Sequence, residues 1–172
     1  MAVIGRVETT ELPRILELNQ GAVPAVSTLD AERLAWFAEV ADAFLVARVG
    51  DEVAGFLIGL GPGVDYASEN YRWFAARYDH FVYVDRVVVA PGHRDAGIGG
   101  RLYEAFAAHG VATASPVMLA EVNLRPPNEG SLRFHTRHGF VPVGEQDTEG
   151  GTKRVVLLER RLDRPQAESD AS

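Results

Sequence analysis

The sequence contains no cysteine, which excludes disulfides, thiolate nucleophiles and cysteine-based metal sites together. Lysine is almost as scarce. Lys153 is the only one, and arginine supplies the rest of the positive charge, a bias that points to a GC-rich genome rather than to a function. Charge of that sign is also short overall: the formal net charge is −7, which argues against a nucleic-acid partner, since phosphate binding wants clustered Lys and Arg. A cationic substrate stays compatible with it, although bulk charge cannot locate a site. No apolar run approaches the ~20 residues that a bilayer span needs, so no membrane association is expected. Met1–Arg6 lacks a charged segment followed by an apolar core, so no secretory signal is visible. The expected setting is soluble and cytoplasmic.

What is present is ordinary globular material. At 172 residues, 47% of them apolar and 24% charged, the chain holds one domain's worth of core. Periodicity predicts a strand over Ala2–Val7, with Thr9-Thr10 placed to cap a helix carrying Leu12, Ile15, Leu16 and, less neatly, Asn19. A second helix starts at Thr28 or Asp30 and turns Leu34, Phe37, Ala38 and Ala41 inward. Ala43–Val49 and Val53–Leu60 read as a hairpin about Gly50-Asp51-Glu52. Gly61–His80 breaks the pattern with Tyr66, Tyr71, Trp73, Phe74 and Tyr78, and a short helix is expected over Tyr71–Tyr78. Phe81–Val89 is an apolar strand, Ile98–His109 a helix, and Val117–Leu124 a further strand. Asn128 then caps a helix to His138 that Gly139 stops. Phe140–Gly144 and Thr152–Leu162 close the chain as a hairpin. The expected organisation is a single domain over 1–162, followed by a disordered acidic tail over 163–172.

The stretch from Val87 to Leu102, Val-Val-Val-Ala-Pro-Gly-His-Arg-Asp-Ala-Gly-Ile-Gly-Gly-Arg-Leu, carries the chemistry. It reads as strand, tight turn, glycine loop and helix. A helix start offers unpaired N–H groups and the positive end of the macrodipole, so it favours an anion. Gly97, Gly99 and Gly100 let a phosphate come close to the backbone. Other phosphate motifs fit worse. A Walker A loop needs a lysine that this segment lacks, and the spacing Gly97-Ile98-Gly99-Gly100 is not the dinucleotide fingerprint.

The pattern V-x-P-x-x-R-x-x-G-x-G from Val89 to Gly99 resembles the coenzyme A signature of the GNAT superfamily of N-acetyltransferases. Asn128 to Phe140 resembles that family's second motif, N-x-x-A-x-x-hydrophobic-Tyr-x-x-x-G-F, with His135 at the tyrosine position. The order of elements is similar to that fold over nearly the whole chain to Leu162. Asn70-Tyr71-Arg72-Trp73-Phe74 and Tyr83-Val84-Asp85-Arg86 are similar to a bacterial subgroup of predicted acyltransferases of unknown acceptor. The resemblance implies a mixed α/β (α+β) fold. Its sheet is mostly antiparallel, with splayed central strands and helices on both faces.

By the same resemblance, acetyl-CoA is the co-substrate and no metal is needed. Its pantetheine would pair with the strand of Val87, Val88 and Val89, and its pyrophosphate would take amides of Arg94, Asp95, Ala96, Gly97, Ile98 and Gly99, extending to Gly100. Asn128, Phe134 and His135 would meet the pantetheine arm, and a helix-cap role for Asn128 is compatible with this. Asp95 stands where the family has a small or basic residue, and its carboxylate is expected to point to solvent. His135 has three readings: general acid toward the departing thiolate, hydrogen-bond partner of the sulfur, or packing.

A base must take a proton from the acceptor's ammonium. Glu121, mid-strand in Leu-Ala-Glu-Val-Asn, and Asp85 are the candidates. Asp85 shares one strand face with Tyr83, Val87 and Val89, and alternation argues against its pairing with Arg86. For Glu121 the alternative is an ion pair with an arginine. The aromatic stretch Tyr66–Tyr83, with Asp65, Glu69 and Asp79 nearby, reads either as an acceptor pocket or as a small satellite core.

The function read from these residues is direct transfer of an acetyl group from acetyl-CoA to a primary amine, in a small molecule or a peptide, within a ternary complex. An acetyl-CoA-binding sensor without turnover is the alternative. A nucleotide domain that binds no coenzyme A is disfavoured by the second motif. The sequence does not name the acceptor or the oligomeric state, although members of the family are often homodimers.

Overall fold

The computed structural model describes residues 1–162, so the expected acidic tail lies outside the described residues. Among the described residues, seven strands and five α-helices make a mixed α/β fold. The strands form a mostly antiparallel sheet in the order β1-β2-β3-β4-β5-β7-β6. They are β1 Val3–Arg6, β2 Ala43–Val49, β3 Glu52–Leu60, β4 Val82–Val89, β5 Val117–Arg125, β6 Val141–Thr148 and β7 Lys153–Arg161. The helices are α1 Leu12–Gly21, α2 Ala31–Val40, α3 Glu69–Ala75, α4 Ile98–Ala112 and α5 Glu129–Arg137. The residues gather into two compact units. One comprises Met1–Val64 with Val84–Phe106, the other Asp65–Tyr83 with residues from Ala107 onward, so that β4 and α4 each run through a boundary.

In the first unit, β1 and β3 pair antiparallel with β2 on either side. Thr9 and Thr10 do not cap α1. They lie inside a short 3-10 turn, Thr9–Glu11, whose Glu11 carboxylate accepts from the Glu8 N–H at 2.8 Å, and Pro13 enters in the first turn of α1. Of the two candidate caps for α2, Asp30 serves, accepting from Arg33 N at 2.7 Å. Leu34 and Phe37 are buried as expected, but Ala38 is exposed, because the inward stripe of this short helix is narrower than its apolar content.

Two glycines on β3 seat α4. Gly55 and Gly59 share one strand face. A Cβ at Gly59 would lie 2.2 Å from the Phe106 ring, and one at Gly55 would lie 3.4 Å from Ile98 Cγ2 and 2.9 Å from the Val88 carbonyl oxygen. Four strand residues span ~13 Å and eight helical residues span ~12 Å. The pair on β3 therefore matches Ile98 and Phe106 on α4, and the helix axis runs along the strand at close range.

In the second unit, β5 pairs antiparallel with β7, and β7 with β6. The first residues of β4 pair parallel with β5 through Val82↔Met118 and Tyr83↔Leu119. Helix α3 starts two residues earlier than the aromatic pattern predicts, because the Ser68 hydroxyl caps it by accepting from Tyr71 N at 3.2 Å. Trp73 of this helix lies on β6, where a Cβ on Gly144 would come within 2.5 Å of its ring. Strand β6 runs four residues past the expected Gly144. Its polar end is held by charge, with Arg154 bonding Glu145 and Asp147 at 3.0 Å each, a pattern suited to a sheet edge.

The fit of β3 to α4 predicts that Gly59→Ala lowers the unfolding free energy by about 1–3 kcal/mol in a urea titration. Combined with Phe106→Leu, the loss should be smaller than the sum of the two single losses. Strict additivity would show that the two positions do not meet.

Candidate active site

The segment singled out for an anion lies wholly in the first unit. Along β4 the buried Val84, Arg86 and Val88 alternate with the half-buried Asp85, Val87 and Val89, as a strand with two different faces requires. Ala90 ends the strand. Pro91–His93 then form a single 3-10 turn, closed by His93 N donating to Ala90 O at 2.9 Å. Arg94 through Gly97 are exposed, Ile98 is buried as the anchor of α4, and Gly99 and Gly100 are half-buried. Gly97 has φ 74° and Asp95 φ 66°, a left-handed conformation that aspartate tolerates better than most residues. Asp95 is exposed, which fits a carboxylate kept out of an anion site. The helix bond from Arg101 N to Gly97 O is 3.1 Å, and the amides of Ile98, Gly99 and Gly100 precede it at the positive end of a 15-residue helix. A Cβ on Gly97 would meet nothing within 4 Å. Backbone donors, an open approach and a helix dipole together suit a pyrophosphate without any lysine.

Asp85 is not where strand alternation leaves it. Its Oδ2 accepts from Arg86 Nε at 2.8 Å, and both side chains are 4% exposed. The expectation that adjacent residues cannot pair is therefore corrected. Alternation fixes the direction of Cβ, whereas the long arginine stem carries Nε back past its own backbone. Arg86 continues into the protein. Nη1 donates to Asn19 Oδ1 and to Ser27 O at 3.0 Å each, Nη2 donates to Ser27 Oγ at 3.1 Å, and the guanidinium lies 5.4 Å from the centre of the Phe37 ring. Sequence reading missed this network, although two signals marked it: an arginine inside the apolar run Phe81–Val89, and an asparagine in the inward stripe of α1.

The second unit brings two other candidates together. The Tyr83 hydroxyl donates to Glu121 Oε1 at 2.9 Å, and Tyr83 is buried while Glu121 is half-buried. The tyrosine ring is itself held edge-on by Tyr71 at 5.6 Å and at a tilt by Phe74 at 5.7 Å. Tyr71 further meets Tyr66 at 5.7 Å and Phe81 at 5.9 Å. Much of the aromatic stretch thus forms a satellite core behind Tyr83, and Trp73 takes the Arg77 guanidinium at 3.8 Å from its ring centre. Tyr78 donates to Glu159 Oε2 at 3.1 Å. Burial and then this carboxylate push its hydroxyl up to about 12.

The second motif folds as expected, with Asn128 Oδ1 capping α5 by accepting from Ser131 N at 3.3 Å. His135 is 4% exposed, packed against Phe134 and Phe140 with ring centres 5.4 and 5.1 Å away. Its Nδ1 lies 2.7 Å from the Ser131 carbonyl oxygen, which can only accept, so Nδ1 carries the proton of the neutral ring and Nε2 is left as an acceptor. Burial holds its pKa below the usual value, opposed by the bond to Ser131 and aided by His138. Phe134, half-buried, lies tilted against His138 with ring centres 4.4 Å apart.

The acetyltransferase (GNAT) family matches the chain over residues 12–140. The chain belongs to this family. A comparison with curated protein sequences finds no significant match. Among solved structures, the chain is similar to the ribosomal-protein-S18-alanine N-acetyltransferase of Escherichia coli, at 16% identity over 98% of each chain and a TM-score of 0.73. It is also similar to yncA, a putative acetyltransferase of Salmonella typhimurium solved with its cofactor acetyl-CoA, at 22% identity over 99% of each chain and a TM-score of 0.71. Arabidopsis thaliana NAA60 in complex with acetyl-CoA is 17% identical over 94% of this chain and 99% of that one, with a TM-score of 0.74. At these identities the likeness speaks for the fold, and the match to the family carries the GNAT assignment.

Two outcomes follow for this GNAT chain. Arg86→Met leaves the Asp85 carboxylate buried beside an apolar side chain, and should cost about 3–5 kcal/mol in a denaturant titration. A loss under about 1 kcal/mol would show that the pair is not buried in solution. The neutral, buried His135 also gives a pH signature. Because its folded pKa lies below the unfolded value, the unfolded chain takes up the proton first on acidification. Its contribution is present above the unfolded pKa and is lost as pH falls through that value toward the folded one. Between pH 7.5 and 5.5, melting temperatures should therefore fall further for the wild type than for His135→Gln (pH values about one unit either side of the unperturbed imidazole). Parallel curves would assign the acid sensitivity elsewhere.

Proposed function

We propose that residues 1–162 work as one acetyltransferase domain, moving the acetyl group of acetyl-CoA directly to a primary amine in a ternary complex. The observation that carries the catalytic assignment is the Tyr83–Glu121 hydrogen bond of 2.9 Å. The coenzyme supplies an activated thioester. Its pyrophosphate is held by the amides of Arg94 to Gly100 at the start of α4, and its pantetheine lies along Val87–Val89. The solved relatives with bound acetyl-CoA support this reading. Asn128 Oδ1 is used as the helix cap, which leaves its amide NH2 as the donor offered to the coenzyme.

Glu121 accepts the proton of the incoming ammonium, directly or through a water, and Tyr83 fixes the orientation of its carboxylate. Neutral nitrogen then attacks the thioester carbonyl. The C–N bond forms and the C–S bond breaks. The electron pair leaves with sulfur and the second nitrogen proton goes to solvent. Asp85 is the weaker candidate for the base, because its carboxylate is committed to the buried pair with Arg86. His135 meets the role of general acid poorly. At rest its only ring proton points to Ser131, so Nε2 has nothing to donate. That same feature favours the second reading, an acetyl-CoA sensor without turnover. Acceptors of the class are small amines and peptide N-termini, and the protein is proposed to act in the cytoplasm.

Calorimetry with acetyl-CoA should show saturable binding at micromolar concentrations. Its absence at high micromolar would sink the coenzyme assignment. Thiol release across a panel of small amines and N-terminal peptides then separates enzyme from sensor. With an active acceptor, Glu121→Gln should cut turnover by about 10²-fold or more, while acetyl-CoA affinity holds. Tyr83→Phe should cut it by about tenfold, the worth of one charge-assisted hydrogen bond. An unchanged pH–rate profile in Glu121→Gln would remove Glu121 as the base.

A further inference from the structure

The start of β3 carries one residue more than β2 can match. Ala47 pairs with Gly55 and Arg48 with Val53, so Ala54 is the extra residue of a β-bulge. This residue is fully buried, and its carbonyl accepts from Ala90 N at 2.7 Å, the amide that ends β4 and opens the turn into the anion loop. The neighbouring residues reach the same place. A Cβ at Gly55 would stand 2.9 Å from the Val88 carbonyl oxygen, 3.5 Å from Val89 Cα and 3.4 Å from Ile98 Cγ2. Glu52 Oε2 lies 3.7 Å from His93 Nε2 within the turn itself. The segment Glu52–Gly55 at the start of β3 thus bonds Ala90 and lies against Val88 and Val89 before the loop, His93 inside its entry turn, and Ile98 at its end.

Bulges re-aim a strand, and here the consequence falls on backbone amides. A pyrophosphate bound without lysine has no flexible side chain to make up a misplaced donor. Amide donors must stand within a few tenths of an ångström of hydrogen-bonding distance, and they move only when the chain moves. A methyl group at position 55 would press on the β4 backbone, which cannot rotate away as a side chain can. The resulting shift has to go into the loop that follows.

We propose that Glu52–Gly55 is the positioning element of the anion loop, setting acetyl-CoA affinity from beneath without touching the coenzyme. This rests on the acetyl-CoA reading above, and the test keeps the two apart. Acetyl-CoA is titrated calorimetrically into the wild type, Gly55→Ala, Ala90→Pro and Glu52→Gln, with Gly59→Ala as the comparison, and the melting temperature of each is taken without ligand. Ala90→Pro deletes the N–H that bonds Ala54. Ala90 has φ −56°, which proline adopts, and the ring Cδ, standing where the N–H was, pushes the Ala54 carbonyl away, so the contact is broken from both sides.

Gly55→Ala and Ala90→Pro should weaken binding by about tenfold, the equivalent of one lost or strained hydrogen bond. Glu52→Gln, at an exposed side chain that leaves folding intact, should weaken it by about two- to threefold. Gly59→Ala strains the same strand and helix away from the loop. It should melt earlier while keeping its affinity within about twofold. If the wild type does not bind acetyl-CoA, the coenzyme reading fails and this inference fails with it. If the wild type binds and all variants match it, the positioning role alone is overturned. Affinity losses that merely track melting temperature across all variants, Gly59→Ala included, overturn it equally. Should Gly55→Ala not fold, Ala90→Pro and Glu52→Gln decide.

Discussion

The contact between β3 and α4 governs where that helix begins. Two strand positions without Cβ atoms, Gly55 and Gly59, let Ile98 and Phe106 approach β3 closely, and the spacings of strand and helix agree to about an ångström over that distance. A helix held at two points along its length has a fixed axis and a fixed N-terminus. The amides that begin α4, and the loop that leads into them, inherit that placement. Backbone donors have no flexible side chain to adjust with, so on the proposed reading the packing beneath the loop sets their precision. Gly55 lies against the residues before the loop and at its end, whereas Gly59 seats the helix at Phe106, two turns further on.

Arg86 has a comparable role earlier along β4. A guanidinium taken out of water is costly unless its donors are used, and here Asp85, Asn19 and Ser27 together receive four of its hydrogen bonds. The network fastens the end of α1 and the connection to α2 onto β4, just before the strand reaches Val87. It also sets apart the two carboxylates proposed as the base. Asp85 serves the interior, whereas Glu121 takes its orientation from a tyrosine hydroxyl. Composition cannot separate such a pair, because both are acids in apolar strands.

The fold is legible where periodicity and turn chemistry agree. The hairpin about Gly50, one of the two caps offered for α2, the strand–turn–helix read over Phe81–His109 and the cap at Asn128 are found within a few residues of their expected bounds, since each depends on residues close in sequence. Misreadings arise where the deciding contact is distant. Thr9 and Thr10 are good caps in isolation, yet the chain tightens into a 3-10 turn. Strand β6 extends through Glu145-Gln146-Asp147 because Arg154 on β7 holds it, which no local propensity records. The Asp85–Arg86 pair escapes a rule about Cβ direction that does not bind a long side chain. The aromatic stretch is ambiguous in principle, since a tyrosine that lines a pocket and one that fills a core look alike until Tyr71 and Phe74 are seen buried.

The histidine at position 135 tests how far the family's chemistry depends on its tyrosine. A thiol has an unperturbed pKa of about 8.5 and a primary ammonium about 10.4. At neutral pH a coenzyme A thiolate is therefore a tolerable leaving group without help, whereas an ammonium is almost wholly protonated and inert as a nucleophile. The two proton transfers are unequal: removing the ammonium proton is indispensable, and protonating sulfur in the same step is an advantage. With Glu121 as the proposed base, a carboxylate oriented by a tyrosine serves the indispensable transfer, while the ring at position 135 holds its proton toward Ser131. Such an arrangement is consistent with turnover. On that proposal the chemical weight rests on Tyr83 and Glu121 of the paired strands rather than on the second motif.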